Sequence, residues 1–265
     1  MKERPFFSII VVSYNAENTI VDTINSILNQ TYKNLEIIVK DALSKDDTLK
    51  SIPSDDRLKI YSCKDTGIYD GMNQALEYVT GKYINFMNCG DNFHNNKVLE
   101  KIHGFITKES IDELSIVYGD YNTKGNEYKS PGTVNKKYFA RNSLCHQAMF
   151  FSKDVFDMVG KYNCDFRIYG DYELALRALN AGTVYKHVGV IVCDYLGDGV
   201  SEQDRKSNML ENQKIQAIYY SKKDLLLEKI KAILTLRYLR ILITSDRAPK
   251  WLKKIYVKMA NRVNS

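Results

Sequence analysis

Apolar positions along the first two-thirds of the chain fall into two alternating kinds of segment. Phe6–Ser13 (FFSIIVVS) is a continuous, β-branched run, the pattern of a strand buried on both faces of a parallel sheet. Ile20, Val21, Ile24, Ile27 and Leu28 then recur at helical spacing. Leu35–Val39 predicts a second buried strand and Leu58–Cys63 a third, more exposed one. Ile68, Met72, Ala75, Leu76 and Val79 predict a helix that Gly81 breaks, ahead of a fourth strand at Tyr83–Met87. Val98, Leu99, Ile102, Phe105 and Ile106 mark another helix, and Ile116–Tyr118 a short strand. From about Thr123 the period loosens around Gly125, Pro131 and Gly132. Ala148–Ser152 then reads as a strand, Asp171–Ala181 as a helix closed by Gly182, and Val184–Tyr195 as an extended segment. Residues 203–221 predict a polar helix, and 223–262 two basic amphipathic helices parted near Pro249.

This alternation predicts an α/β, Rossmann-like fold: a mostly parallel central sheet flanked by helices, plus C-terminal helices. Ligands of such sheets bind beyond the carboxyl ends of the strands. The residues there are Tyr14-Asn15, Asp41, Asp65 and Asn88-Cys89-Gly90-Asp91. Neither G-x-G-x-x-G nor a P-loop is present, which removes the main support for a dinucleotide enzyme or a P-loop ATPase.

Composition narrows this further. A chain of 265 residues makes one large domain or two small ones. At 44% hydrophobic and 26% charged, disordered and fibrous classes are excluded. The net charge of +6 is uneven, because residues 222–265 hold 12 Lys and Arg against 3 Asp and Glu. A mildly acidic body with a basic tail argues against nucleic acid as a partner and points to the tail. Five scattered cysteines without a C-x-x-C pair fit a reducing cytosol better than a disulfide framework. The N-terminus lacks signal-peptide architecture, and no stretch reaches 18 apolar residues.

Four segments have the residue types for chemistry, and each has a plainer reading. In Gly81–Asp91 (GKYINFMNCGD), a strand ends in a polar loop whose carboxylate could hold a divalent metal against a phosphate. The plainer reading is a turn with Asp91 as a helix cap. In Asp65–Asn73 (DTGIYDGMN), Asp70 and Asn73 share one face of a first helical turn, suited to a diphosphate or ribose. Acidic residues there also simply match the helix dipole. Asp171, opening a helix after Gly170, could act as a general base or as an N-cap. Cys145-His146-Gln147 precedes a strand, where loop residues face a site or only bond their own loop.

The order and spacing of these blocks resemble the glycosyltransferase family 2 enzymes, of the nucleotide-sugar-binding fold called GT-A. The likeness is carried by Ser13-Tyr14-Asn15 after the first strand, SILNQTY (26–32), EIIV with Asp41, DTGIYDGMNQAL, GKYINFMNCGDNF, HQAMFF, FRIYGDYELALRAL and LGDGVS (196–201). It covers residues 6–201 and points to a bacterial cell-surface polysaccharide subgroup. The resemblance implies that Tyr14 and Asn15 lie beside the nucleoside and that Asp41 approaches the base. It puts Asp70 and Asn73 by the ribose-diphosphate or donor sugar, with Asn88 and Asp91 in the metal motif. Asp91 would contact a Mn²⁺ or Mg²⁺ that bridges the diphosphate, and Asp171 would be the general base. His146 and Gln147, with Gly170, would line the acceptor or donor-sugar pocket.

Three positions depart from the family's common form. Asp41-Ala42-Leu43 lacks one base-reading acid, Asn-Cys-Gly-Asp holds a single acid in the metal motif, and Gly170 replaces the acid before Asp171, leaving Glu173 as a backup base. The resemblance implies an inverting, metal-dependent transfer from a nucleoside-diphosphate sugar, UDP-sugar first, to a saccharide or lipid-linked saccharide acceptor. Residues 1–221 form the expected catalytic domain, with a nucleotide-binding half to about 120 and an acceptor half from 121. Residues 222–265 form a basic amphipathic tail that could contact an anionic membrane from the cytoplasmic side, pack on the body or mediate a homodimer. Two other readings are a sugar-phosphate nucleotidyltransferase and a non-catalytic nucleotide-sugar-binding or scaffold protein. The first would want a basic, glycine-rich loop where Tyr14-Asn15-Ala16-Glu17 stands.

Overall fold

The computed structural model describes residues 4–111, 114–197 and 205–243, with 253, 255–257 and 259 in the tail. The strands are β1 (Phe7–Ser13), β2 (Leu35–Asp41), β3 (Leu58–Ser62), β4 (Tyr83–Asn88), β5 (Asn92–Phe93), β6 (Ser115–Thr123), β7 (Asn126–Tyr128), β8 (Met149–Ser152) and β9 (Val184–Tyr195). The helices are α1 (Ile20–Leu28), α2 (Thr48–Ser51), α3 (Ile68–Leu76), α4 (Val98–Lys108), α5 (Lys136–Phe139), α6 (Lys153–Val159), α7 (Gly170–Asn180), α8 (Arg205–Tyr219) and α9 (Lys222–Ile243).

One sheet runs in the order β3-β2-β1-β4-β8-β6-β9-β5, with β7 paired to β6. Its core, β3-β2-β1-β4, is parallel, as the apolar runs predict. Side chains alternate across it. Phe7, Ile9 and Val11 of β1 face one apolar layer with Ile20, Ile24 and Ile27 of α1 and Val98, Leu99 and Ile102 of α4. Ile10 of β1 and Ile84 and Phe86 of β4 face the opposite layer, with Met72 and Ala75 of α3 and Leu174 and Ala178 of α7. Burial on both faces explains why these strands read as unbroken apolar runs.

Beyond β4 the sheet becomes mixed. β8 inserts antiparallel between β4 and β6, and β6 pairs parallel with β9. This insertion carries the turn at His146–Ala148 to the carboxyl end of β4. Asn85, a polar residue inside β4, fixes that turn: its Nδ2 donates to the Gln147 and Met149 carbonyls, both at 2.9 Å. The short elements β5, β7, α2, α5 and α6 have too little length for a periodic signal.

The helix predicted at 203–221 is α8, and the first tail helix is α9. Most of the second tail helix expected at 251–263, and residues 198–201 of LGDGVS, lie outside the described residues. Among the described residues, no helix is long and apolar enough to cross a membrane.

Candidate active site

A cavity of about 540 Å³ lies at the carboxyl end of β4, walled by Asn88, Cys89 and Asp91, by Leu144–Gln147, by Arg167–Tyr169 and by Asp171. Ile68, Tyr69, Tyr121, Tyr172, Tyr195 and Leu196, with Ser143 and Gly197, complete an aromatic-rich lining. Five predicted site residues meet in it: Asn88, Asp91, His146, Gln147 and Asp171.

Asp91 is 4% exposed. Its Oδ2 accepts from Gln147 Nε2 at 2.7 Å and its Oδ1 from the Leu196 amide at 2.9 Å. Burial pushes its carboxyl up to about 6, against the lowering pull of those two donors. This is not the geometry of a helix cap. The side-chain oxygen of Asn88, which ends β4 just before this loop, is buried without a partner among the described residues. Two hard oxygen donors at the end of β4, one of them orphaned, fit Mg²⁺ or Mn²⁺, ions that take much of their coordination from water and substrate phosphates. Among the described residues no group of three or more His, Cys, Asp or Glu gathers, so Asp91 would be the carboxylate ligand of such an ion.

Asp171, also in the cavity wall, sits in the first turn of α7. Its Oδ1 accepts from the Tyr172 amide at 2.8 Å and faces the Tyr69 hydroxyl at 3.1 Å. Its Oδ2 makes no hydrogen bond among the described residues, and His146 Nδ1 stands 3.8 Å away, beyond hydrogen-bond length. Burial depresses the His146 pKa, opposed by the Asp171 charge, so the imidazole favours its neutral form. Burial, reinforced by the same charge, holds the Tyr69 phenol protonated.

The remaining predicted residues are placed elsewhere. Gly170 is not in the cavity wall: a Cβ there would stand 2.7 Å from the Tyr69 ring. Its lack of a side chain lets Tyr69 pack against the start of α7. Glu173 accepts from Arg177 and Tyr219, so no free oxygen remains for a backup base. Asp70 accepts from the Thr66 amide and hydroxyl at 2.8 and 3.0 Å, tying the turn that leads into its own helix. Asn73 reaches away to Tyr162, pairing with both its carbonyl and its amide at 2.9 Å.

Asp41 is fully buried, and its oxygens accept from Ser13, Ser44 and Ser62. Burial raises its pKa, but the serine hydrogen bonds outweigh this and hold the carboxyl below its ordinary value. Beside it, buried Lys40 donates to the Cys63 carbonyl and to Asp65 at 2.9 Å, tying β2 to the loop after β3. Asn15, at φ 48°, donates its amide to Ser44 Oγ and accepts from the Lys45 amide, which clasps the loops after β1 and β2. Tyr14, next to it, is 60% exposed. These loops stand at the sheet's carboxyl edge but outside the cavity wall.

Sequence reasoning missed Asn85, Tyr69 and Leu196 as site-building residues. The first carried a signal, an amide inside an otherwise apolar strand. For the other two, partners distant in sequence create the role.

The model of "Glycosyl transferase family 2" matches residues 8–158. The chain is 30% identical over 199 residues, 72% of its length and 77% of the relative's, to a "PGL/p-HBAD biosynthesis glycosyltransferase" of Mycobacterium bovis. It is 31% identical over 224 residues, 79% of its length and 87% of the relative's, to the Escherichia coli "UDP-Glc:alpha-D-GlcNAc-diphosphoundecaprenol beta-1,3-glucosyltransferase WfaP". Among solved structures, S. aureus TarS 1-349 in complex with UDP aligns over 97% of this chain and 79% of its own, with TM-score 0.63 and 15% identity. The mannosyltransferase PcManGT from Pyrobaculum calidifontis, in complex with GDP-Man and Mn²⁺, aligns over 99% and 86%, with TM-score 0.60 and 14% identity.

Proposed function

The chain belongs to glycosyltransferase family 2, and on that premise we propose that it inverts the anomeric centre of a nucleoside-diphosphate sugar, UDP-sugar first, as it moves the sugar to a hydroxyl of a lipid-linked saccharide. One observation carries the reading: Asp91 and Asp171 line one cavity, the first with an oxygen-donor neighbour and the second with one oxygen held and the other without a hydrogen bond among the described residues.

The roles divide between these two residues. Asp171 Oδ2 takes the proton of the acceptor hydroxyl as it attacks the anomeric carbon, help worth about 10²–10⁴-fold. The Tyr172 amide orients the carboxylate by its other oxygen, and the Tyr69 hydroxyl, shared with the Ile168 carbonyl, stands beside that oxygen at 3.1 Å. Direct attack by the acceptor hydroxyl, with Asp171 as the single base, inverts the configuration. Asp91 and Asn88 would hold Mn²⁺ or Mg²⁺. When bound, such an ion supplies Lewis-acid neutralisation of the departing diphosphate. Gln147 steers Asp91 and, with His146, lines the sugar pocket. Tyr14 and Asn15 offer an exposed ring and a fixed backbone to the nucleoside. Asp41, Asp70 and Asn73 serve that side indirectly, by holding the loops that shape it.

UDP as the nucleotide is supported by the UDP-bound TarS likeness and the UDP-Glc named for the E. coli relative, whose diphosphoundecaprenol acceptor supports a lipid-linked substrate. The tail fits that acceptor. Leu225 of α9 packs on the core, while Leu226, Leu227, Ile230, Ile233 and Leu234 form an exposed stripe at helical spacing. With the basic charge of 222–265, this stripe suits an anionic leaflet at the cytoplasmic side. In this reading residues 1–221 are the catalytic domain and 222–265 its membrane-facing tail.

The test is calorimetric titration with UDP, GDP and dTDP, each with Mn²⁺ and with EDTA, followed by transfer from UDP-glucose to an N-acetylglucosaminyl diphospholipid. Metal-dependent binding of UDP and an inverted product are expected. Absence of binding to any of the three nucleotides, with and without anionic vesicles, would sink the reading.

A further inference from the structure

A carboxylate from the C-terminal part of the chain grips the segment that leads into the candidate base. Glu211 of α8 accepts from the Arg167 amide at 2.9 Å through Oε1, and from the Ile168 and Tyr169 amides at 2.8 and 3.0 Å through Oε2. Three successive amides converging on one anion form a nest, and such charge-assisted bonds are about twice as strong as neutral ones. Residues 167–169 wall the cavity beside Asp171. Tyr169, the N-cap of α7, makes no side-chain cap hydrogen bond. Glu211 therefore supplies from outside an acceptor for the N-cap amide of Tyr169 and negative charge beside the start of α7.

The same segment is held from its other side, because the Ile168 carbonyl accepts from the Tyr69 hydroxyl at 2.8 Å. Amides pulled by Glu211 and a carbonyl pulled by Tyr69 leave the backbone before Asp171 little freedom to rotate. Glu211 is itself fixed by the docking of α8. Ile215 is fully buried, Gln216 Nε2 donates to the Ala140 carbonyl at 3.1 Å, and the Tyr219 hydroxyl donates to Glu173 at 2.5 Å. These anchors do not involve Glu211, so α8 stays docked when Glu211 is replaced.

We infer that Glu211 is a positioning residue for Asp171, acting through the backbone of Arg167–Tyr169, so that α8 is part of the catalytic machinery. The inference rests on the reading of Asp171 as the general base. Misplacing a reacting group by about 1 Å can cost 10²-fold.

The experiment compares full-length E211Q, E211A and D171N. Glutamine keeps the shape but turns one acceptor into a donor that confronts an amide. In both Glu211 variants hydrogen exchange at the 167–169 amides should accelerate while thermal melting stays cooperative. With the donor that turnover selects, kcat should fall about 10–100-fold while donor KM and UDP affinity stay within about threefold. Sodium formate, small enough to fill the nest vacated in E211A, should restore much of that kcat and leave D171N inactive. Wild-type turnover in E211Q and E211A beside an inactive D171N would overturn the inference alone. A loss that tracks donor binding, or that formate leaves untouched, would also overturn it by assigning the effect to displacement of α8. Full turnover in D171N would bring down the base reading and this inference with it.

Discussion

The Tyr69 hydroxyl stands 3.1 Å from Asp171 Oδ1, although the two residues lie 102 positions apart. Gly170 makes the approach possible, since a Cβ there would meet the Tyr69 ring at 2.7 Å. Gly170 thus has a steric role: α3 presents a tyrosine to the start of α7. Tyr69 also stacks on Tyr162 at 5.2 Å, so its ring cannot retreat without disturbing the core.

Gly170→Ala should therefore destabilise the protein by about 1–3 kcal/mol, as overpacking does. In a Tyr69→Ala background the same change should cost less than about 0.5 kcal/mol, because the colliding ring is gone. Chemical denaturation of the four proteins measures the coupling. Additive effects would show that Gly170 answers to something other than Tyr69.

Asp171→Asn should reduce sugar transfer by at least about 10²-fold, the contribution of a general base, and leave nucleotide binding within a few-fold. Single-turnover assays beside UDP calorimetry separate the two. Transfer at the wild-type rate would move the base role to another group, and Glu173, already engaged by Arg177 and Tyr219, could not take it.

Asp91→Asn should abolish the Mn²⁺-dependent part of UDP binding and leave a residual affinity equal to that of the wild type in EDTA. Gln147→Ala should weaken the same metal-dependent part less, because it removes a donor that orients Asp91 rather than the carboxylate itself. Calorimetry with and without EDTA reads both. Unchanged metal dependence in Asp91→Asn would refute its role as ligand.

Asp41 sets an acid limit on stability. Its folded pKa lies below the unfolded one, so its stabilising effect is present above the unfolded value, near 4, and is lost as pH falls through the folded value. Glu36 behaves alike: burial raises its pKa, but bonds from Ser8, Lys59 and Thr80 outweigh that. Ser44→Ala should flatten the stability–pH curve below pH 4 and cost about 1–2 kcal/mol at neutral pH. Denaturation midpoints between pH 3 and 7 test this, and a curve parallel to the wild type would show that Ser44 is not what lowers Asp41.

Leu226→Glu with Leu234→Glu should abolish sedimentation with anionic vesicles and leave UDP binding unchanged, because the exposed stripe of α9 contributes no residue to the cavity wall. Added salt should weaken, without eliminating, wild-type binding. Vesicle binding retained by the double variant would refute the stripe as the membrane contact.

The sequence by itself determined the parallel core and the order of the polar loops beyond it. Runs such as FSIIVVS and LEIIV can bury both faces only inside a covered sheet, and the period of each helix names its buried side. It also marked Asn88, Asp91 and Asp171, because residues that follow strands or open helices fall at one end of such a sheet, and His146 and Gln147 as loop residues just ahead of a strand. What it could not determine was which polar residues meet. Asp70 and Asn73 share a face of one helical turn, yet local and long-range backbone partners claim them, Thr66 in one case and Tyr162 in the other. Asp41 is saturated by serines from three separate segments. Only the insertion of β8 between β4 and β6 brings Gln147 to Asp91, and only the docking of α8 brings Glu211 to the amides before Asp171. Periodicity is a local property of the backbone, set within a few residues. A hydrogen bond between side chains fifty or a hundred residues apart exists only once the sheet order and helix docking have placed both ends within about 3 Å.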